Sequence, residues 1–241
     1  MSIEGSAAAV YSGRLTGISG VKLHYDPIST TSRPVLLFLA EHDLPVELVL
    51  VDILAGETRT EAFLALNPNA AVPVLQDDGL VLPEGSAILK YLADVAGSPA
   101  YPAERKARAR VNAAMDWFNT GLSKDLNGDY VYPRMLPDYA LPAPIQAEVS
   151  RRGLERAHHW LGVLDRHMLA PGGYVCGPDL TIADYLGAVY VGLSEAIEFD
   201  LSPWPNVAAW MNRMRARPAW EATHAAFYGF IASRRQFAQA G

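Results

Sequence analysis

The sequence predicts an α/β unit followed by an all-helical one, and three observations carry that prediction. Short β-rich runs alternate with helical stretches from Val21 to Ala96. Beyond about residue 105 the apolar residues recur only at helical spacing. No strand signal follows Leu82. A chain of 241 residues accommodates two modest domains. The expected parts are an N-terminal extension over 1–20, an α/β domain over 21–97, a linker over 98–104 and a helical domain over 105–241.

Val21-Lys-Leu-His-Tyr25 alternates and is β-rich, so it reads as the first strand. A turn segment follows, Asp26 to Ser32. Pro34 to His42 then carries Val35, Leu36, Leu39 and Ala40 at helical spacing and ends near Asp43-Leu-Pro45. Val46 to Val51 is a second strand, and the brevity of the strand–helix–strand run predicts a parallel pair. Glu61 to Leu66 is a short helix stopped by Asn67-Pro68. Val72-Pro-Val-Leu75 and Leu80-Val-Leu82 flank Asp77-Asp-Gly79, a hairpin signal. Ser86 to Ala96, with Ile88, Leu89 and Leu92, closes the unit as a helix. This order, βαβ and then ββα, is that of a thioredoxin-like domain.

After the linker, Ala107, Val111, Met115, Phe118 and Leu122 recur at helical intervals, as do Ile145, Val149, Ala157, Leu161, Leu164 and Met168. Tyr130 to Pro144, rich in Tyr and Pro, is expected to be irregular. Thr181 to Ile197 and Asn206 to Arg215 are further helices, and Trp204, Trp210 and Trp220 read as packing of the last ones.

Half of the residues are hydrophobic, 19% are charged, and the net charge is -6 with both signs mixed along the chain. That balance leaves no electrostatic footprint for nucleic acid and no basic cluster for a membrane surface. A site for an anion must therefore be built locally. Cys176 is the only cysteine, which rules out an intramolecular disulfide and fits a reducing compartment. The first twenty residues lack the basic start and apolar run of a secretory signal, so the expected location is the cytoplasm.

Three segments now carry a resemblance. Asn67-Pro-Asn-Ala-Ala-Val-Pro-Val-Leu75, Leu82-Pro-Glu-Gly-Ser-Ala-Ile-Leu-Lys-Tyr-Leu92 and Gly177-Pro-Asp-Leu-Thr-Ile-Ala-Asp-Tyr185 resemble, in order and spacing, the glutathione transferase family. The match extends over about residues 21 to 225. In the first segment the resemblance implies a cis proline, Pro73, so that Val72 offers its backbone to the cysteinyl unit of glutathione like an added strand. In the second, a helix N-terminus at Gly85 and Ser86 receives the γ-glutamyl carboxylate, and Glu84 pairs with the α-ammonium. In the third, Thr181 and Asp184 form a capping box with a structural role.

Glutathione chemistry needs the thiolate, which a hydrogen-bond donor near a helix N-terminus stabilises. Tyr25-Asp-Pro-Ile-Ser-Thr-Thr-Ser-Arg-Pro34 looks like the serine-using, theta-like branch known from bacteria. The resemblance puts Ser29 at the catalytic position, with Thr30 the alternative donor standing where a cysteine-using branch has its Cys. Read as residues alone, the same Ser/Thr cluster equally serves to cap the helix that follows. Two departures bear on affinity. Gly85 replaces the family's serine, removing a hydroxyl whose hydrogen bond is worth about 1 kcal/mol. Ala71 stands where relatives often have a lysine, and Thr58-Arg59 where they often have a His-containing pair; Arg59 remains a candidate for the glycine carboxylate.

For the second substrate the resemblance points to Met115, Trp117, Phe118 and Asn119, with Tyr228 returning from the C-terminal end. Aromatic and methionine side chains suit an apolar electrophile, although residues at this spacing commonly belong to a core. His158-His159 lacks partners at ligand spacing, so no metal site is expected. The implied activity is detoxifying conjugation of glutathione, as co-substrate with no further cofactor, to apolar electrophiles by a homodimer. Reduction of peroxides or disulfides by the same thiolate, and a non-catalytic binding module, are the competing readings.

Overall fold

The computed structural model describes residues 20–170 and 172–240. The extension expected over residues 1–20 falls outside these, Gly20 apart. The chain divides into two units, up to Tyr101 and from Pro102 onward.

The first unit runs β1 (Lys22–Tyr25), α1 (Arg33–His42), β2 (Glu47–Leu50), a 3-10 turn Glu57–Arg59, α2 (Glu61–Leu66), β3 (Val74–Asp77), β4 (Leu80–Pro83) and α3 (Gly85–Val95). The sheet order is β2-β1-β3-β4. β1 pairs with β2 in parallel, placing Leu23 opposite Leu48, and with β3 antiparallel, placing Leu23 opposite Leu75. Neighbouring residues of a strand point to opposite faces. Val74 and Leu75 are both fully buried, so β3 is covered on both. Phe63 of α2 packs with Val51, Val72 and Val74, while α1 and α3 pack together and α3 lies against β3 and β4. The thioredoxin-like order expected from the sequence is thus the order observed.

The second unit is helical. α4 (Arg105–Trp117) begins where the Glu104 carboxylate accepts the N–H groups of Lys106 and Ala107 at 2.8 and 2.7 Å, a side-chain cap with an acidic group at the positive helix end. It continues without interruption as a π-helical run Phe118–Val131 and then as α5 (Tyr132–Met135). The irregular stretch expected over Tyr130 to Pro144 is therefore shorter than the residues suggested. Pro133 lies in the first turn of α5, where its nitrogen donates nothing to this continuous helical run. Leu126, Asn127 and Val131 are fully buried, so tertiary burial overrides the weak helix propensity of Asn127-Gly-Asp129.

α6 (Ala143–Val163) continues as a second π-helical run, Leu164–Leu169. It is bound to the first by the Asp125 carboxylate, which accepts from Arg156 Nε at 2.7 Å and Trp160 Nε1 at 2.6 Å and takes Lys124 Nζ at 3.3 Å. Burial alone would raise the Asp125 carboxyl; the Arg156, Trp160 and Lys124 hydrogen bonds outweigh it and hold the group below its ordinary value.

α7 (Ile182–Gly192) is buried on every side. Its capping box is present: the Asp184 carboxylate accepts from Thr181 N–H at 2.8 Å and also takes Val175 N–H at 2.8 Å and Trp210 Nε1 at 3.0 Å. Mid-helix, Gly187 is required, because a Cβ there would lie 2.2 Å from Cζ of Phe118. α8 (Pro205–Arg215) and α9 (Trp220–Ala240) complete the unit. α9 lies beyond the helices expected from the residue pattern. Its signal was present: Trp220, His224, Phe227 and Ile231 are buried at spacings of four, three and four.

Candidate functional site

The loop between β1 and α1 is shaped by Asp26. Its carboxylate accepts Ile28 N–H at 2.8 Å and, across to the segment after β2, Ile53 N–H at 3.0 Å. Its carbonyl accepts Ser29 N–H at 3.1 Å. Pro27 bends the chain beside it, as Asp-Pro pairs commonly do. Ser29 Oγ accepts Ser32 N–H at 3.2 Å and its carbonyl accepts Arg33 N–H at 3.1 Å, so Ser29 caps the turn that leads into α1. Ser29 and Thr30 are 8% and 7% exposed.

The second segment carries a cis peptide at Val72-Pro73. Asn67 holds the loop before it, donating from Nδ2 to the Ala71 carbonyl at 2.8 Å and accepting Asn69 N–H at 3.1 Å. The third segment is the start of α3. Glu84 precedes it with φ 73, in the left-handed region, and no side chain caps the helix. The positive end of the helix dipole lies at this first turn, next to Glu84, which is exposed.

Thr31 joins the three segments. Its hydroxyl donates to the Val72 carbonyl at 2.8 Å and lies 3.0 Å from Ser29 Oγ. Its own carbonyl oxygen lies 2.6 Å from where a Cβ on Gly85 would stand, and Pro73 Cγ lies 3.7 Å from the same point. Ser29, Val72, Pro73 and Gly85 are thereby brought to one junction, with Thr30, Glu84 and Ser86 adjoining in the chain. Thr58 and Arg59 lie on the 3-10 turn, the first buried and the second exposed; among the described residues no hydrogen bond ties them to the junction.

The residues singled out for a second substrate do not gather. Met115 and Phe118 are fully buried, and Phe118 fills the space over Gly187 and stacks on Trp210 at 6.4 Å. These two belong to the helical core, because helical spacing marks a buried stripe without saying what covers it. Asn119 accepts from the Tyr190 hydroxyl at 3.0 Å, and the Tyr228 hydroxyl accepts from Trp220 Nε1 at 3.1 Å. Trp117 is half-buried, edge-on to Trp160 at 5.5 Å. It lines a cavity of about 500 Å3 with Arg110, His167, Met168, Val175 and Cys176, and none of the other four residues lines it.

Burial pushes the Cys176 thiol up to about 11; a hydrogen bond from Thr181 opposes this and the Asp184 carboxylate adds to it. The chain's own thiol is thus poorly suited to act as a nucleophile near neutral pH. His158 packs edge-on against Trp204 at 5.1 Å. Among the described residues no group of three or more His, Cys, Asp or Glu gathers where a metal would sit, and no helix is long and apolar enough to cross a membrane.

Thr31 and Asp26 were not singled out from the residues. Asp-Pro at 26–27 was a legible turn signal; the role of Thr31 depends on a contact 41 residues away in sequence and left no local trace.

Comparison with known proteins matches residues 28–95 to the model of the glutathione S-transferase N-terminal domain and residues 128–218 to that of the C-terminal domain. The chain is 32% identical over 195 residues to glutathione S-transferase D7 of Anopheles gambiae, covering 80% of this chain and 85% of that one. Among solved structures, a delta-class glutathione transferase of Nilaparvata lugens is 31% identical with a TM-score of 0.76, over 89% of this chain and 99% of that one. Human glutathione transferase theta-2, in complex with glutathione, is 26% identical with a TM-score of 0.78, over 90% and 91%.

Proposed function

Because the chain belongs to the glutathione S-transferase family, we propose that it conjugates glutathione through the junction of Ser29, Val72 and the start of α3. Transfer to an electrophile is the activity family membership supports; the roles of the residues are our reading. The single observation that carries it is the convergence on Thr31 of a hydroxyl at a helix N-terminus, an exposable backbone carbonyl beside a cis proline, and an uncapped helix start.

In this reading the cysteinyl unit lies along Val72, pairing with its backbone as an added strand does. The γ-glutamyl carboxylate sits at the N-terminal turn of Gly85 and Ser86, drawn by the helix dipole, and Glu84 takes the α-ammonium. Arg59, exposed beside Thr58, is available to the glycine carboxylate. Ser29 Oγ–H donates to the sulfur and favours its anionic form, while Ser32 N–H polarises the same oxygen. The sulfur lone pair then forms a bond to an electrophilic carbon. In substitution the leaving group departs with its bonding pair; in addition the displaced pair is protonated by solvent. Glutathione is the co-substrate, an apolar electrophile the other partner, and detoxification in the cytoplasm the setting. We place the chain with the serine-using theta-like branch and infer a homodimer, as is typical of the family. The human theta-2 relative, solved with glutathione bound, supports the choice of ligand.

One observation favours a competing reading. Ser29 Oγ already serves to hold the turn that leads into α1, which is all a non-catalytic module would ask of it. A calorimetric titration of glutathione into wild type and Ser29→Ala, with thiolate absorbance recorded, separates the two. The transferase reading expects both to bind and only wild type to form thiolate at neutral pH. Equal thiolate in both proteins removes Ser29 from the chemistry, and absence of binding to wild type favours the module.

A further inference from the structure

We infer that Thr31 is a positioning residue whose hydroxyl, in the free protein, occupies both groups that the cysteinyl unit of glutathione needs; the inference rests on the reading of Ser29 as thiolate donor. The argument is one of proton counting. The Val72 carbonyl can only accept, so the single hydroxyl proton of Thr31 is committed to it at 2.8 Å. Thr31 Oγ1 can then act towards Ser29 only as an acceptor. The 3.0 Å contact between the two hydroxyls therefore runs from Ser29 to Thr31. Ser29 Oγ receives Ser32 N–H at 3.2 Å. The result is a directed chain: Ser32 N–H to Ser29, Ser29 O–H to Thr31, Thr31 O–H to the Val72 carbonyl.

Each link has a counterpart in the complex. The proton that Ser29 must give to the sulfur is held by Thr31, and one of the two lone pairs of the carbonyl that would take the cysteinyl N–H is taken by Thr31. One hydroxyl thus plays acceptor and donor in the places of the ligand's sulfur and amide. The backbone of Thr31 is itself confined, since its carbonyl oxygen occupies the space that a side chain on Gly85 would need. A carbonyl has two lone pairs, so the Val72 contact survives binding. The Ser29–Thr31 bond does not, because Ser29 has one proton. Thiolate formation therefore exchanges a neutral hydrogen bond for a charge-assisted one, and Thr31 sets the pH at which the bound thiol ionises.

The test uses the whole chain with glutathione as probe, comparing wild type, the shape-matched Thr31→Val, the hydroxyl-retaining Thr31→Ser, Ser29→Ala and the double variant Ser29→Ala/Thr31→Val. Without its competitor, Thr31→Val is expected to bind glutathione about fivefold more tightly, the equivalent of one neutral hydrogen bond. Its bound thiolate should appear at lower pH, whereas Thr31→Ser should follow wild type. Weaker binding by Thr31→Val, or a thiolate midpoint moved to higher pH, overturns the inference. A ligand-free measurement guards against misfolding and against failure of the ligand reading. Unfolding of the two single variants and the double variant should be non-additive, because both single changes remove the same bond. Additivity with glutathione still bound overturns the role of Thr31 alone. Non-additivity with no glutathione bound by any protein overturns the ligand reading, and with it the stand-in role of Thr31.

Discussion

A serine at position 85 would begin with a Cβ 2.6 Å from the Thr31 carbonyl oxygen, closer than unbonded atoms in a packed interior sit. The missing hydroxyl is therefore tied to the path of the neighbouring loop, and restoring it does not restore a contact. Gly85→Ser is expected to lose about 1–3 kcal/mol of stability to overpacking and to bind glutathione no better than wild type, measured by urea unfolding and calorimetry. Tighter binding by the variant would mean that the loop yields and that only the hydroxyl was lacking. At this scale the sequence exposed what is local. Val72-Pro73, Glu84 and the hydroxyl cluster after β1 stand in contiguous motifs. Thr31 joins a carbonyl 41 positions away, and Asp26 an amide 27 away; no window of residues contains such pairs.

Among the elements, the long run from α4 through the π-helical stretch was the hardest to foresee. Helical spacing showed its buried stripe, but not that the stripe, with Met115 and Phe118, is the core of the helical unit. The polar side of the same run is as telling. Asp125, a side chain 1% exposed, holds Arg156 and Trp160 of α6. Its carboxyl is depressed in the folded state. Its contribution is therefore fully present above the unfolded carboxylate value of about 3.9 and is lost as pH falls through the lower folded value. Asp125→Asn is expected to cost about 2 kcal/mol at neutral pH, the scale of hydrogen bonds to a charged group. The gap to wild type should shrink on acidification below that carboxylate range, followed by denaturant unfolding at both pH values. A constant gap would show that the charge does not contribute.

For the molecule as a whole, the sequence separated an α/β part from a helical one because the two obey different periodicities, and the observed division at Tyr101 falls where the strands have ended. Its length of helix was less legible, since α9 and the π-helical runs depend on what covers them. α7 makes the dependence plain. Covered on all sides, it meets Phe118 from the π-helical run after α4 and Trp210 from α8. A chain ending at residue 200 lacks α8 and α9, and is expected to collect in the insoluble fraction on expression, where the full chain does not. Recovery of a monodisperse fragment would show that α7 finds cover without them. During synthesis the same geometry becomes a matter of timing: the ribosome delivers the greasiest helix of the protein before the tryptophan that seals it, so this helix stays exposed to wrong partners until α8 has been made.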